Sequence, residues 1–178
     1  MMSKFHFNNP VKVFQLLCVI TFFIGCNSAV KDTANDKQQI INMLDSFNIA
    51  AAKADYNNYF KHYTYNAIFA GTDATERWDK KAFMVWAKPL FDKGTTWDFK
   101  AFERHIYFDQ TGNTAWFDEL LSTQMKICRG SGVLVKQDNE WKIQQYILST
   151  TIPNNQLDTI IKIKGPIEDS LIKQLTDK

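Results

Sequence analysis

No stretch of this sequence is apolar for long enough to cross a bilayer as a helix. The apolar run at residues 16–24 falls well below the roughly 20 residues a span requires, and Lys12 and Gln15 interrupt the approach to it. With Lys4 and Lys12 ahead of it, no acid among the first residues, and Gly25-Cys26 behind it, the run has the layout of a secretory signal peptide. Charge of one sign is also missing. The whole chain has 21 Lys and Arg against 19 acids, and removing residues 1–25 takes away two lysines, so the processed chain is neutral. The basic stripe that nucleic acid demands is therefore absent, and that class of partner is excluded. The chain lacks HExxH, paired cysteines and any close histidine cluster, so neither a metal nor another cofactor is expected. Gly130 and Gly132 stand inside a strand pattern rather than between strand and helix, which rules out a phosphate loop.

Cysteine is nearly as scarce, with three in 178 residues. Phe23-Ile24-Gly25-Cys26-Asn27 resembles a lipobox, in which the thiol of Cys26 is acylated and becomes the new N-terminus. Phe23 stands where leucine is usual. The polar residues 27–36 suit a tether. Cys18 leaves with the signal, so Cys128 is left alone and no internal disulfide can form. The expectation is a soluble domain in the cell envelope, lipid-anchored to a membrane through Cys26. About 150 residues suffice for a single core.

From Asn35 the pattern turns helical, with Ile40, Leu44, Phe47, Ala51 and Ala54 on one face and Asn35 with Gln38 resembling a capping box. Asp55 offers a cap to a short segment carrying Tyr59, Phe60 and Tyr63, and residues 67–71 read as a strand. Asp79 caps a second long helix bearing Phe83, Trp86, Ala87, Leu90 and Phe91 before Gly94 stops it. Pro89 should kink that helix near Val85. Residues 96–108, 113–123, 126–136 and 141–150 are strand-like with short turns between them, which predicts an antiparallel meander. Helices first and strands afterwards argue for an α+β fold. Two weak helical pieces follow Pro153, the second starting at Pro166. The expected organisation is a signal peptide at 1–25, a tether at 26–35, a domain at 36–153 and a helical extension at 154–178.

Alternation along the strands predicts which residues face inward. Taking Lys142 and Gln144 as outward places Trp141, Ile143, Gln145, Ile147 and Ser149 inside. Taking Lys136 as outward does the same for Val135, Val133, Ser131 and Arg129. A tight turn at Thr123-Gln124 would set Asp118 opposite Arg129, with Trp116 and Leu120 on the same face. Asp118 and Arg129 would then either fix strand register or line a cavity as a charged pair, and a one-residue slip would exchange Asp118 for Glu119. His62 and His105 survive processing, and each is a candidate general base. The many aromatics, Trp97, Phe91, Trp116 and Tyr146 among them, are mostly core. Large rings between helices and a curved sheet also favour an apolar pocket.

Phe69-Ala70-Gly71-Thr72-Asp73, Trp116-Phe117-Asp118-Glu119, Cys128-Arg129-Gly130-Ser131-Gly132 and Trp141-Lys142-Ile143 with Tyr146 and Ser149 together resemble the SnoaL-like branch of the nuclear transport factor 2-like superfamily, over residues 36–153. The resemblance implies a cone-shaped α+β fold with a strongly curved antiparallel sheet wrapped around N-terminal helices and a cavity. It also implies frequent homodimerisation through the sheet. It transfers no reaction, because the fold hosts isomerases, dehydratases, cyclases, hydrolases and plain binders. Three readings follow. The first is a lipid-anchored binder of a small, largely apolar molecule, held by Trp116, Asp118, Arg129, Ser131, Gln145, Phe91 and Trp97. The second is a proton-transfer enzyme with Asp118 or His105 as base and Arg129 stabilising negative charge. The third is a cell-envelope protein-interaction module.

Overall fold

Apolar residues at spacings of three and four build the first helix, α1 (Ala34–Ala52), which buries Ile40, Leu44, Phe47 and Ala51 along one side. The computed structural model describes residues 33–177; the expected signal peptide, Cys26 and residues 26–32 of the tether lie outside the described residues. α1 begins two residues earlier than a cap at Asn35 would allow. Thr33 occupies the cap position without a side-chain bond, and Gln38 donates to Asn42 Oδ1 at 3.0 Å instead of reaching back, so the expected capping box does not form. Asp36 anchors this end of the helix: its Oδ1 accepts from Lys136 Nζ and, at 3.2 Å, from Trp141 Nε1. A carboxylate in the first turn also complements the helix dipole.

Asp55 caps α2 (Tyr56–Phe60) by accepting from the Asn58 amide, as its position predicts. β1 (Tyr63–Ala70) and β2 (Arg77–Asp79) form a hairpin, and Asp79 Oδ1 accepts from the Ala82 amide at 2.8 Å to start α3 (Lys80–Asp92). α3 runs unbroken through Pro89. The carbonyl of Val85, which that proline cannot satisfy, belongs to a solvent-facing residue where water can take its place. Gly94, at φ +65°, ends the helix, and Thr95 donates back to the Leu90 carbonyl.

β3 (Lys100–Phe108), β4 (Thr114–Thr123), β5 (Lys126–Gln137) and β6 (Glu140–Thr150) form the expected meander. β6 then pairs in parallel with β1, giving one curved six-stranded sheet in the order β2-β1-β6-β5-β4-β3. Register shifts in the β1/β6, β3/β4 and β5/β6 pairings increase its bend. The concave face holds the helices over a core rich in rings: Phe47 stacks on Tyr59 at 4.4 Å, and Phe60, Tyr63, Phe83, Phe117 and Tyr146 are buried with them. Each such ring contributes roughly 1.5–3 kcal/mol through burial.

The expected facing of the meander is corrected in three places. The β4–β5 turn residues are Gln124 and Met125, with Thr123 opposite Lys126, so Asp118 faces Ser131 and Leu120 faces Arg129. The buried set of β4 is Ala115, Phe117, Glu119 and Leu121, and that of β5 is Cys128, Gly130 and Leu134. Trp116, Asp118, Leu120, Arg129, Ser131, Val133 and Val135 share the opposite face. On β6, Trp141 and Ile143 are buried as expected. Val133 then pairs with Gln145 while Leu134 pairs with Ile143, so Gln144 is an extra residue and the inner set becomes Tyr146 and Leu148, not Gln145, Ile147 and Ser149. The tail is also simpler than expected: after a 3-10 turn (Asn154–Gln156), one helix, α4 (Leu157–Thr176), runs through Pro166 and buries none of its residues.

Candidate functional site

Six elements and the loops beside them converge on a cavity of about 150 Å³ at the open end of the sheet. Phe69 of β1, Trp78 of β2, Phe83 and Trp86 of α3, Trp97 and Phe99 of the following loop, and Tyr146 and Leu148 of β6 form most of its wall. Phe47, Tyr59, Gln124 and Met125 complete the interior, and Gly71, Thr72 and Glu76 form one rim. The rings lie in near-parallel layers. Phe69 and Phe83 are 4.1 Å apart at 4°, Trp78 and Trp86 5.0 Å at 26°, and Phe69 and Tyr146 6.1 Å at 6°. The β1–β2 turn holds its shape by local bonds: Asp73 Oδ1 accepts from the Thr75 amide and hydroxyl, which holds the Asp73 carboxyl below its usual range. Glu76 Oε2 accepts from the Asp73 amide at 3.3 Å. A Cβ on Gly71 would stand 2.2 Å from that oxygen, so any other residue there would make the carboxylate shift from the position it holds.

Tyr146 also belongs to a buried polar network under the sheet. Its hydroxyl donates to Glu119 Oε1 at 3.2 Å, Arg104 Nε donates to Glu119 Oε2 at 2.8 Å, and Arg104 Nη1 donates to Asp45 Oδ1 and to the Ile41 carbonyl. Glu119 is fully enclosed. Burial pushes its carboxyl up, against the opposing pull of Arg104 and the Tyr146 hydroxyl. Burial likewise raises the Tyr146 and Tyr63 phenols well above their usual value, so both are neutral near pH 7. Gly130 makes the network fit, since a Cβ there would come within 2.5 Å of the Tyr146 hydroxyl. Among the described residues no group of three or more His, Cys, Asp or Glu is arranged to hold a metal ion.

The SnoaL-like domain model matches residues 40–153, more than half of the chain. The chain belongs to the SnoaL-like family. No curated protein matches it. Solved structures similar to this SnoaL-like domain include an NTF2-like protein of unknown function from Pseudomonas putida KT2440, at 12% identity and TM-score 0.58 over 67% of this chain and 89% of that one. A candidate dehydratase of the NTF2-like family from Streptomyces avermitilis matches at 12% identity and TM-score 0.57, over 67% and 98%. A candidate aromatic ring hydroxylase from Novosphingobium aromaticivorans matches at 12% and 0.57, over 67% and 91%. At these identities the likeness establishes the fold alone.

Within the SnoaL-like domain, the residues singled out from sequence separate into two groups. Trp97 lines the cavity, and Phe91 is buried behind it at 5.6 Å in an edge-on contact. Asp118, Arg129, Trp116, Ser131 and His105 lie on the convex face, away from the cavity. Asp118 and Arg129 pair across 3.4 Å in partial solvent, His105 Nε2 meets Glu103 Oε1 at 3.2 Å, and Trp116 stacks on Tyr107. Gln145 sits next to the extra residue on β6, half-buried. His62 is buried against Phe47 with Nε2 unpartnered among the described residues, and burial lowers its pKa to about 4. Sequence reasoning did not name Glu76 or Arg104, and it offered Glu119 as a site residue only through the slip alternative to Asp118. The usable signal was the pair of glycines on β5, which mark where ring tips and a carboxylate pass under the sheet.

Proposed function

We propose that this SnoaL-like domain binds a small, largely apolar molecule between the layered rings of its cavity. The carrying observation is the lining itself: nine of the fifteen described lining residues are aromatic. An engineered apolar cavity of about the same volume holds benzene. The test is thermal denaturation of the purified protein against a panel of compounds of one or two rings. A ligand at about a hundred times its Kd stabilises by about 2.7 kcal/mol. Stabilisation lost in Phe83→Ala supports the reading, and a panel with no effect on the unsubstituted protein sinks it.

A proton-transfer enzyme is a second reading, favoured by Tyr146, which belongs to both the cavity wall and the Glu119 network. Its base would be Glu119 acting through the Tyr146 hydroxyl, in place of Asp118 or His105 on the far face. The names of the dehydratase-like and hydroxylase-like relatives are compatible with it. Turnover of a bound compound that disappears in Tyr146→Phe while binding persists would select this reading. We further propose that the domain is held at a membrane of the cell envelope by lipid on Cys26. Cys26→Ser should move the protein from the membrane fraction to the soluble one, and an unchanged distribution would rule the anchor out.

A further inference from the structure

The cavity carries information about the charge of its occupant. We propose that it is a site for a small organic cation, a methylated or alkylated ammonium group, with Glu76 as the counter-charge; this rests on the cavity being the ligand site. Glu76 is the one charged residue among the described residues that line it, and no lysine, arginine or histidine is among them. Its carboxylate accepts from the Asp73 amide, and no cationic side chain pairs with it among the described residues. Gly71 holds open the space the carboxylate occupies at the rim. Three of the rings are indoles, Trp78, Trp86 and Trp97, and the negative face of an indole is the best aromatic partner for a cation.

Each alternative occupant meets a physical objection. An anion would be desolvated beside a carboxylate and ring faces of the same sign, with no donor cation to offset the cost. A neutral molecule gains from burial but leaves the Glu76 charge unanswered. A quaternary ammonium loses little hydration, has no hydrogen bonds to satisfy, and presents methyl groups to the rings and its charge to the carboxylate. The cavity volume limits the buried part to a head group of a few heavy atoms.

Three probes that share a head of three methyl groups separate the classes: choline, its uncharged carbon isostere 3,3-dimethylbutan-1-ol, and the shorter anion pivalate, each titrated by tryptophan fluorescence. Choline is expected to bind at least about tenfold more tightly than the isostere, a difference of about 1.4 kcal/mol, and pivalate more weakly than both. Glu76→Gln should reduce that preference to about twofold while keeping the isostere's affinity, which also shows that the pocket is intact. Trp86→Leu should weaken choline more than the isostere. Equal binding of choline and the isostere, or preference for pivalate, overturns the proposal. If uncharged aromatic compounds bind and choline does not, the cation class fails and the pocket reading survives. If neither class binds, the pocket reading fails and this proposal with it.

Discussion

At the residue scale, the Glu119–Arg104 pair dominates, because both groups lie where water cannot screen them. Removing one partner from such a pair leaves the other buried and alone, which typically costs about 3–5 kcal/mol. Arg104→Met is expected to fall in that range by urea denaturation. The double variant Arg104→Met/Glu119→Leu should recover much of the loss, since apolar replacement of both partners is often near neutral. A double variant no better than the single would mean that the bond from Arg104 to Asp45, not the one to Glu119, carries the stability. His62 gives a second prediction with a definite sign. Its folded pKa is lowered to about 4 from 6.5 by burial, with Lys61 and Lys142 adding to the shift and Glu140 opposing it. Below pH 6.5 the unfolded chain takes up a proton that the folded chain refuses, so stability falls as pH drops and the loss is complete below about pH 4. Linkage across that window amounts to about 1–3 kcal/mol. His62→Gln should flatten that segment of the stability–pH curve; an unchanged slope would assign it to another group.

Single residues also explain why the sequence misleads about the sheet faces. A lysine near a strand end is ordinarily an outward marker, and by that rule Lys136 should face solvent. Its ammonium in fact turns toward the concave side to meet Asp36, with Trp141 beside it, because α1 brings a carboxylate there from 100 residues away in the chain. That pairing is invisible to alternation within β5. Once Lys136 is reversed, every face assignment along β5 reverses, and through the β4–β5 register so do those of Asp118 and Glu119.

At the scale of elements, the order and type of the main pieces were legible because their periodicities are strong: α1 and α3 repeat apolar residues at three and four, and each meander strand ends at turn residues. What was not legible is the extra residue on β6. Gln144 looks like an ordinary outward polar residue, but its amide accepts from Thr64 Oγ1 at 3.0 Å and donates to the Asn66 carbonyl on β1. The parallel β1–β6 pairing that creates those partners leaves no local trace in β6. Gly130 tests the consequence. Gly130→Ala must displace the Tyr146 hydroxyl or the Glu119 side chain, and an overpacked substitution of this kind costs about 1–3 kcal/mol. The cost should shrink in a Tyr146→Phe background, where the clashing oxygen is gone. The terminal helix makes the opposite prediction. α4 buries none of its residues, so a chain ending at Pro153 should melt within about 2 °C of the full one. A larger drop would mean that α4 packs on the domain in solution.

At the scale of the whole molecule, the cavity joins parts of very different stability. Its floor is Tyr146 and Leu148, in a strand paired on both sides, whereas its rim is the β1–β2 turn and its far wall the loop carrying Trp97 and Phe99. Short hairpins and loops open locally with little free energy, while central strands open only with global unfolding. A ligand held between them couples the two, and its binding energy should appear where the protein is loosest. Hydrogen exchange with a bound ligand is therefore expected to slow most at residues 71–76 and 93–99. The amides of β4 and β5 should slow only by as much as global stability rises. If protection instead appears on the convex face around Tyr107 and Trp116, the cavity is not where the molecule binds its partner. The stacked pair at Tyr107 and Trp116, with Asp118 and Arg129 beside it, would then become the surface to pursue.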